Sequence, residues 1–317
     1  MRVLMTRRYP DRVIAEAEAH FDVEIRDETT PLKPGQMRGA LALYDGILPT
    51  LGDAFSAEIF ADYTDPRCKV LANFGVGYNH IDTASARAAG VAVTNTPGAV
   101  TDATADLAMA LILMSARRAG EGERLVRKGD WAGWHPTQML GLHVTGKTVG
   151  IVGMGRIGQA IAKRCRLGFD MPVTYFNRSE KPLPFTAHRC ETLSELAAIS
   201  DIVVIALPGG PETHRMIKAP FFHAMKPHAH FVNIARGDVV DEGALIAALQ
   251  RREIAGAGLD VYAHEPLVPP ALRAMENVTL LPHLGTAALE VRERMGLMAV
   301  ANLRAALSGD IPPNLVN

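Results

Sequence analysis

Short apolar runs rich in Val, Ile and Leu alternate along the chain with longer stretches of Ala, Glu and Arg at helical spacing. In the first third the apolar runs are RVLMT from Arg2, FDVEI from Phe21, DGIL from Asp45, KVLAN from Lys69 and VAVTN from Val91. Alternation of this kind predicts βαβ units and a parallel sheet with helices on both faces. A turn signal at Asn95-Thr96-Pro97-Gly98 closes the series, and an N-cap at Thr101-Asp102 opens a helix running on to Arg118. A loop rich in Gly and Trp, Gly129 to Gly146, leads to a second series. This comprises TVGIVG from Thr148, PVTYF from Pro172, DIVVIAL from Asp201, AHFVNIA from Ala229, AGAGLD from Ala255 and NVTLLPH from Asn277. These runs have no polar side, as strands covered on both faces require. From Thr286 to Leu307 the pattern becomes one long amphipathic helix with no strand after it.

Length fits this division. The 317 residues suggest two domains at about 150 residues each. With 33 Lys+Arg against 34 Asp+Glu the net charge is −1, giving no electrostatic reason to expect nucleic acid or an anionic membrane as partner. The hydrophobic fraction of 48% excludes a disordered chain. Cys68, Cys165 and Cys190 show neither CxxC nor metal-type spacing, so reduced thiols and no metal centre are expected. The most apolar stretch, Leu107 to Met114, is shorter than the ~20 residues a membrane span needs. No secretory signal pattern is visible at MRVLMTRRYP, so a cytoplasmic protein is expected.

The clearest chemistry lies at Gly153-Met154-Gly155-Arg156-Ile157-Gly158, a GxGxxG pattern that follows a strand and opens a helix. There Gly153 permits the tight turn, Gly155 lets backbone approach a pyrophosphate, and Gly158 lets helix and strand pack closely. The helix start offers free N–H groups to the phosphates. About twenty residues on, where an acidic residue would bind the ribose 2′-hydroxyl of NAD, the chain has Asn177-Arg178-Ser179. Arg pairs with a 2′-phosphate that a carboxylate would repel, so NADP(H) is expected in preference to NAD(H).

Three polar residues follow later strands: Arg236, Glu265 and His283. Loops at the carboxyl ends of parallel strands line the ligand crevice, so the three would converge there. Together they suit reduction of a 2-keto acid. Arg236 would hold the carboxylate by a two-pronged bond, His283 would protonate the carbonyl oxygen, and Glu265 would orient the imidazole. Singly, Glu265 also reads as a surface charge and His283 as a core histidine.

The sequence resembles the D-2-hydroxyacid dehydrogenase family over nearly its whole length. The matching pieces are NFGVGYNHID from Asn73, GMGRIGQAIAKR from Gly153, NIARGDVVDEGAL from Asn233, GAGLDVYAHEP from Gly256 and LPHLGTA from Leu281. The resemblance implies two doubly wound α/β domains: a flavodoxin-like substrate domain of residues 1–99 and 286–317, with a Rossmann cofactor domain, 100–285, inserted. It implies Arg236, Glu265 and His283 as the catalytic set. It implies that Val76 and Gly77 offer backbone N–H groups to the substrate carboxylate, with Leu51 shaping the pocket, and that the chain crossings near residues 99 and 285 form a hinge. The cofactor set it implies adds Thr104, Leu207, Pro208, Thr213, Ile234, Ala235, Asp260 and Gly285 to the glycine loop and Asn177-Arg178-Ser179, with Asp260 bonding the carboxamide. Members with Gln in place of Glu265 are associated with formate oxidation, which the Glu argues against.

The segment Gly129-Asp130-Trp131-Ala132-Gly133-Trp134 and the run from Met139 resemble the glyoxylate/hydroxypyruvate reductase branch. That branch implies a homodimer in which a Trp, here Trp131 or Trp134, can reach the partner's substrate. The extra C-terminal regulatory domain of some phosphoglycerate dehydrogenases is not expected. The expected activity is therefore NADPH-dependent reduction of glyoxylate and hydroxypyruvate. Another 2-keto acid, or a dinucleotide-sensing corepressor or scaffold on the same fold, remain as alternatives.

Overall fold

The computed structural model describes residues 1–317, which divide into two compact units, Met1–Val100 with Thr286–Asn317, and Thr101–Gly285. In chain order the first unit contains β1 (Arg2–Met5), α1 (Asp11–Glu18), β2 (Asp22–Ile25), α2 (Pro34–Leu43), β3 (Gly46–Leu48), α3 (Ala57–Phe60), β4 (Val70–Ala72), α4 (Thr83–Ala88) and β5 (Ala92–Thr94). The second contains α5 (Thr101–Ala116), α6 (Ala119–Lys128), β6 (Val149–Val152), α7 (Arg156–Phe169), β7 (Val173–Phe176), β8 (Ala187–Arg189), α8 (Leu193–Ile199) and β9 (Ile202–Ile205). It continues with α9 (Ala219–Ala224), β10 (His230–Asn233), α10 (Glu242–Gln250), β11 (Gly256–Leu259), α11 (Pro270–Ala274) and β12 (Val278–Leu280). The terminal helix α12 (Leu289–Leu307) belongs to the first unit.

In the first unit five parallel strands run in the order β2-β1-β3-β4-β5. Strand alternation splits the apolar residues between two layers. Leu4, Ile47, Leu71 and Val93 face Met37, Leu41 and Phe55. Val3, Met5, Leu48 and Val70 face Val13 and the α12 residues Ala299, Val300 and Leu303. Gly296 lets α12 lie against α1, since a Cβ there would sit 2.4 Å from Val13. The helix begins at Leu289, later than the apolar pattern suggested, because Ala288 is extended. Beyond it, Leu315 makes a single antiparallel bridge to Thr94, and the Asn317 side chain accepts from Val93 N at 2.8 Å.

The second unit holds seven parallel strands in the order β12-β11-β10-β9-β6-β7-β8. The chain moves outward from β6 to β8, then returns to β9 on the other side of β6, which puts a topological switch point between β6 and β9. Every residue of β6, β9, β10 and β11 is buried, which is why these strands read as unbroken apolar runs. The helix expected from Thr101 to Arg118 ends at Ala116. Arg118 turns the chain in the left-handed region at φ 54°, and its guanidinium pairs with Glu121 at 2.6 Å to start α6. All three cysteines are free and buried, and no helix is long and apolar enough to cross a membrane.

Candidate functional site

The glycine loop occupies the switch point of the second unit. Gly153 sits at φ +101°, and a Cβ there would lie 2.7 Å from Ala206 O, so the turn needs glycine on both counts. Gly158 lies so close to the turn that a Cβ would approach Gly153 O to 2.1 Å. Around Gly155, by contrast, a Cβ would meet nothing within 4 Å, leaving open space beside the start of the fourteen-residue helix α7. The residues therefore fit a pyrophosphate: a tight turn, an open approach, and the N–H groups of Arg156 and Ile157 at a helix N-terminus. Leu207 and Pro208 follow β9 on the far side of the switch point, where the Thr213 hydroxyl donates to Pro208 O at 2.7 Å.

At the end of β7, Asn177 Oδ1 accepts from Met154 N at 3.1 Å and its amide donates to Ser179 O at 2.8 Å. That pins the strand end against the glycine loop. Arg178 extends into solvent, 87% exposed, and pairs with Glu212 at 2.9 Å.

The catalytic candidates meet at the carboxyl ends of β10, β11 and β12. His283 Nδ1 lies 2.8 Å from Glu265 Oε2, and both side chains are about 30% exposed. The other Glu265 oxygen accepts from Tyr262 N at 3.1 Å. Burial pushes the Glu265 carboxyl up, but the His283 hydrogen bond and charge, the Tyr262 N–H and the Arg236 charge outweigh it and hold the group below its ordinary value. Arg236 follows β10 on a turn braced by Asn233, whose Oδ1 accepts from Ala235 N and whose amide donates to Arg236 O, both at 3.0 Å. Burial lowers the Arg236 guanidinium, opposed by the charges of Glu265 and Asp238.

Three features of this cluster had no sequence signal. Gly237 sits where a Cβ would lie 1.8 Å from Tyr262 C, so the Arg236 and Glu265 loops pack backbone to backbone. The Tyr262 hydroxyl donates to Leu281 O at 2.8 Å, tying the Glu265 loop to the His283 loop. His283 itself is left-handed at φ 55°, and Asp260 holds it there by accepting from Leu284 N at 2.6 Å and Gly285 N at 2.9 Å. Asp260, read from the resemblance as a carboxamide partner, is thus 1% exposed and engaged with the His283 loop. Thr104 joins the same loop through Gly285 O at 3.3 Å.

Of the remaining site candidates, Val76 and Gly77 lie in the first unit on the loop after β4. Their carbonyls are drawn onto the side chains of Asn95 and Asn73 at 2.9 and 3.0 Å. Leu51 is 39% exposed on the loop after β3. Trp131 and Trp134 are exposed on the long loop after α6, the latter at 79%. A cavity of about 710 Å³ lies instead near the amino ends of β10 to β12, lined by Ser115, His230 and Arg252 among others. None of the sequence-derived site residues lines it, and Arg236, Glu265 and His283 gather at the opposite, carboxyl ends of the strands.

A glycine turn at a switch point, beside an imidazole–carboxylate pair and an arginine, defines a dinucleotide-binding protein of the doubly wound class. Residues 109–285 match the family model described as D-isomer specific 2-hydroxyacid dehydrogenase, NAD binding domain. A glyoxylate reductase of Thermococcus onnurineus is 42% identical, the alignment covering 100% of this chain and 96% of the relative. The TT0316 protein of Thermus thermophilus superimposes with a TM-score of 0.91 at 43% identity, covering 100% of both chains. The NADPH-dependent glyoxylate/hydroxypyruvate reductase of Sinorhizobium meliloti, solved with NADP and malonate, superimposes with a TM-score of 0.88 at 32% identity over 99% of this chain and 96% of that one. The chain belongs to the D-isomer specific 2-hydroxyacid dehydrogenase family of oxidoreductases.

Proposed function

We propose that the protein reduces glyoxylate and hydroxypyruvate to glycolate and D-glycerate, using NADPH in preference to NADH. The observation that carries the reading is the His283–Glu265 pair at 2.8 Å, grouped with Arg236 at the strand ends. The glyoxylate reductases at 40–42% identity support the substrate class. Bound at the glycine loop, the dinucleotide supplies a hydride. Arg236 binds the substrate carboxylate through its planar fork and fixes the carbonyl carbon in line with the donor. His283, its Nδ1 turned to Glu265, gives the proton on Nε2 to the carbonyl oxygen. Glu265 stays ionised and offsets the ring's charge before transfer. A steady-state screen of 2-keto acids with both cofactors tests this reading. It predicts glyoxylate and hydroxypyruvate as the best substrates, and a clear preference for a larger or branched keto acid would overturn the substrate assignment.

Arg178 is the basis for the cofactor preference. Its pair with Glu212 is exposed on both sides, and such pairs hold weakly, so the guanidinium is free to turn to a 2′-phosphate. One charge-assisted hydrogen bond is worth ~1.5–3 kcal/mol, about tenfold or more in affinity. Arg178→Ala is therefore expected to raise KM for NADPH by about tenfold and to leave NADH nearly unchanged. Equal shifts for both cofactors would remove Arg178 from 2′-phosphate recognition.

The exposed Trp131, Trp134 and Leu140 on one loop, at 52%, 79% and 68%, support a homodimer that covers this segment, with Trp134 contributing to the partner's substrate pocket. Analytical ultracentrifugation is expected to return a dimer, and a monomer at assay concentrations would exclude the arrangement.

A further inference from the structure

We propose that His188, Cys190 and Glu195 form a binding site for a thiophilic divalent cation, Zn²⁺ in chemistry, at the β8 edge of the seven-stranded sheet. The site lies outside the dehydrogenase machinery. Its three donor atoms, the His188 ring nitrogen, Cys190 Sγ and a Glu195 carboxylate oxygen, all lie within 4.8 Å of one another.

Local structure explains the convergence. His188 lies in β8 and Cys190 just beyond its end, where Cys190 N still donates to Tyr175 O of β7 at 2.8 Å; residues two apart along such extended chain share a face, which brings the two side chains to one side. The intervening Arg189 points oppositely and reaches Asn177 O at 3.4 Å. Thr192 caps α8 by accepting from Glu195 N at 3.1 Å, which puts Glu195 in the first turn with its side chain folded back over the strand end. There Oε2 accepts from Glu191 N at 2.8 Å and Oε1 meets His188 Nε2 at 3.1 Å. The carboxylate is thus oriented by an outer partner before any ion arrives.

The geometry fits one small ion. Zn–S of ~2.3 Å and Zn–N and Zn–O of ~2.0–2.2 Å give ligand-to-ligand edges of ~3.2–3.7 Å in a tetrahedron. The His188–Glu195 edge is already that short. The sulfur edges need to close by about 1 Å at most to come within the same range. A thiolate, a carboxylate and a neutral imidazole sum to −2, which a divalent cation neutralises at a half-buried place. The sulfur is buried, while the His188 and Glu195 side chains are 60% and 38% exposed, leaving an entry path and a fourth position for water.

Binding exchanges the Cys190 S–H bond for a metal–sulfur bond and releases that proton to solvent.

The test is a titration of the full chain with Co²⁺ under reducing-agent-free, anaerobic conditions, followed by absorbance. A thiolate-to-cobalt charge-transfer band saturating at one equivalent, bleached by Zn²⁺ and accompanied by release of one proton, is expected. Cys190→Ser should abolish the band. His188→Ala, at an exposed position that the fold does not depend on, should weaken binding at least about tenfold, since even outer partners are worth that much. Absence of the band at saturating Co²⁺, its persistence in Cys190→Ser, or unchanged affinity in His188→Ala would each overturn the proposal.

Discussion

Replacing His283 with asparagine is expected to lower turnover of glyoxylate by about 10²–10⁴-fold while NADPH still binds. The variant is chosen for its backbone as much as for its chemistry. Residue 283 is left-handed at φ 55°, a region where Asn is enriched and most residues are strained. Asp260 continues to hold the loop through Leu284 N and Gly285 N, and the glycine loop is not touched. The loss then falls on proton delivery, because an amide has no proton to give at neutral pH. Steady-state kinetics combined with a fluorescence titration of NADPH separates the two effects. Turnover near that of the unaltered protein would remove His283 from the mechanism.

Arg236→Lys is expected to raise KM for glyoxylate and lower kcat together, with kcat/KM falling by about tenfold to a hundredfold. Charge is kept, but the planar fork that holds a carboxylate at two points is lost, and a carboxylate on one point charge pivots out of line with the hydride donor. Two charge-assisted hydrogen bonds become one, at ~1.5–3 kcal/mol for the bond lost. The backbone cannot move to compensate. Gly237 packs so closely on Tyr262 that no displacement toward the Glu265 loop is available, and Asn233 braces the turn from the other side. Kinetic constants indistinguishable from those of the unaltered protein would refute the assignment of Arg236 to the carboxylate.

Much of the fold was legible because the sheets are parallel and covered on both sides. β6, β9, β10 and β11 are buried at every position, so each appears in the sequence as an apolar run bounded by turn residues. β8 carries no such pattern, for the converse reason. Ala187–Arg189 is a three-residue edge strand with no β-branched residue, paired only with β7. The break between α5 and α6 was equally hidden, since it rests on a left-handed Arg118 where the sequence offers neither Gly nor Pro.

At the site, spacing reveals which residues stand at strand ends. It does not reveal what they touch. The glycine loop could be read from local rules because its turn, its open approach and its helix start lie within six residues. The bracing of His283 could not. Asp260 and Gly285 are 25 positions apart, and Tyr262 and Leu281 are 19 apart, joined only when β11 and β12 pair. An acidic residue at the end of a strand has no sequence mark that separates a ligand contact from support of a neighbouring loop.

The most direct measurement of the central claim is the count of NADPH molecules oxidised per protein molecule with glyoxylate, the protein present at catalytic concentration. Many turnovers are expected, with glycolate formed one for one and kcat/KM higher for NADPH than for NADH. Oxidation that stops at one equivalent or does not occur, with bound NADPH demonstrated independently, would contradict the account and leave a dinucleotide-binding protein that does not carry out the reaction.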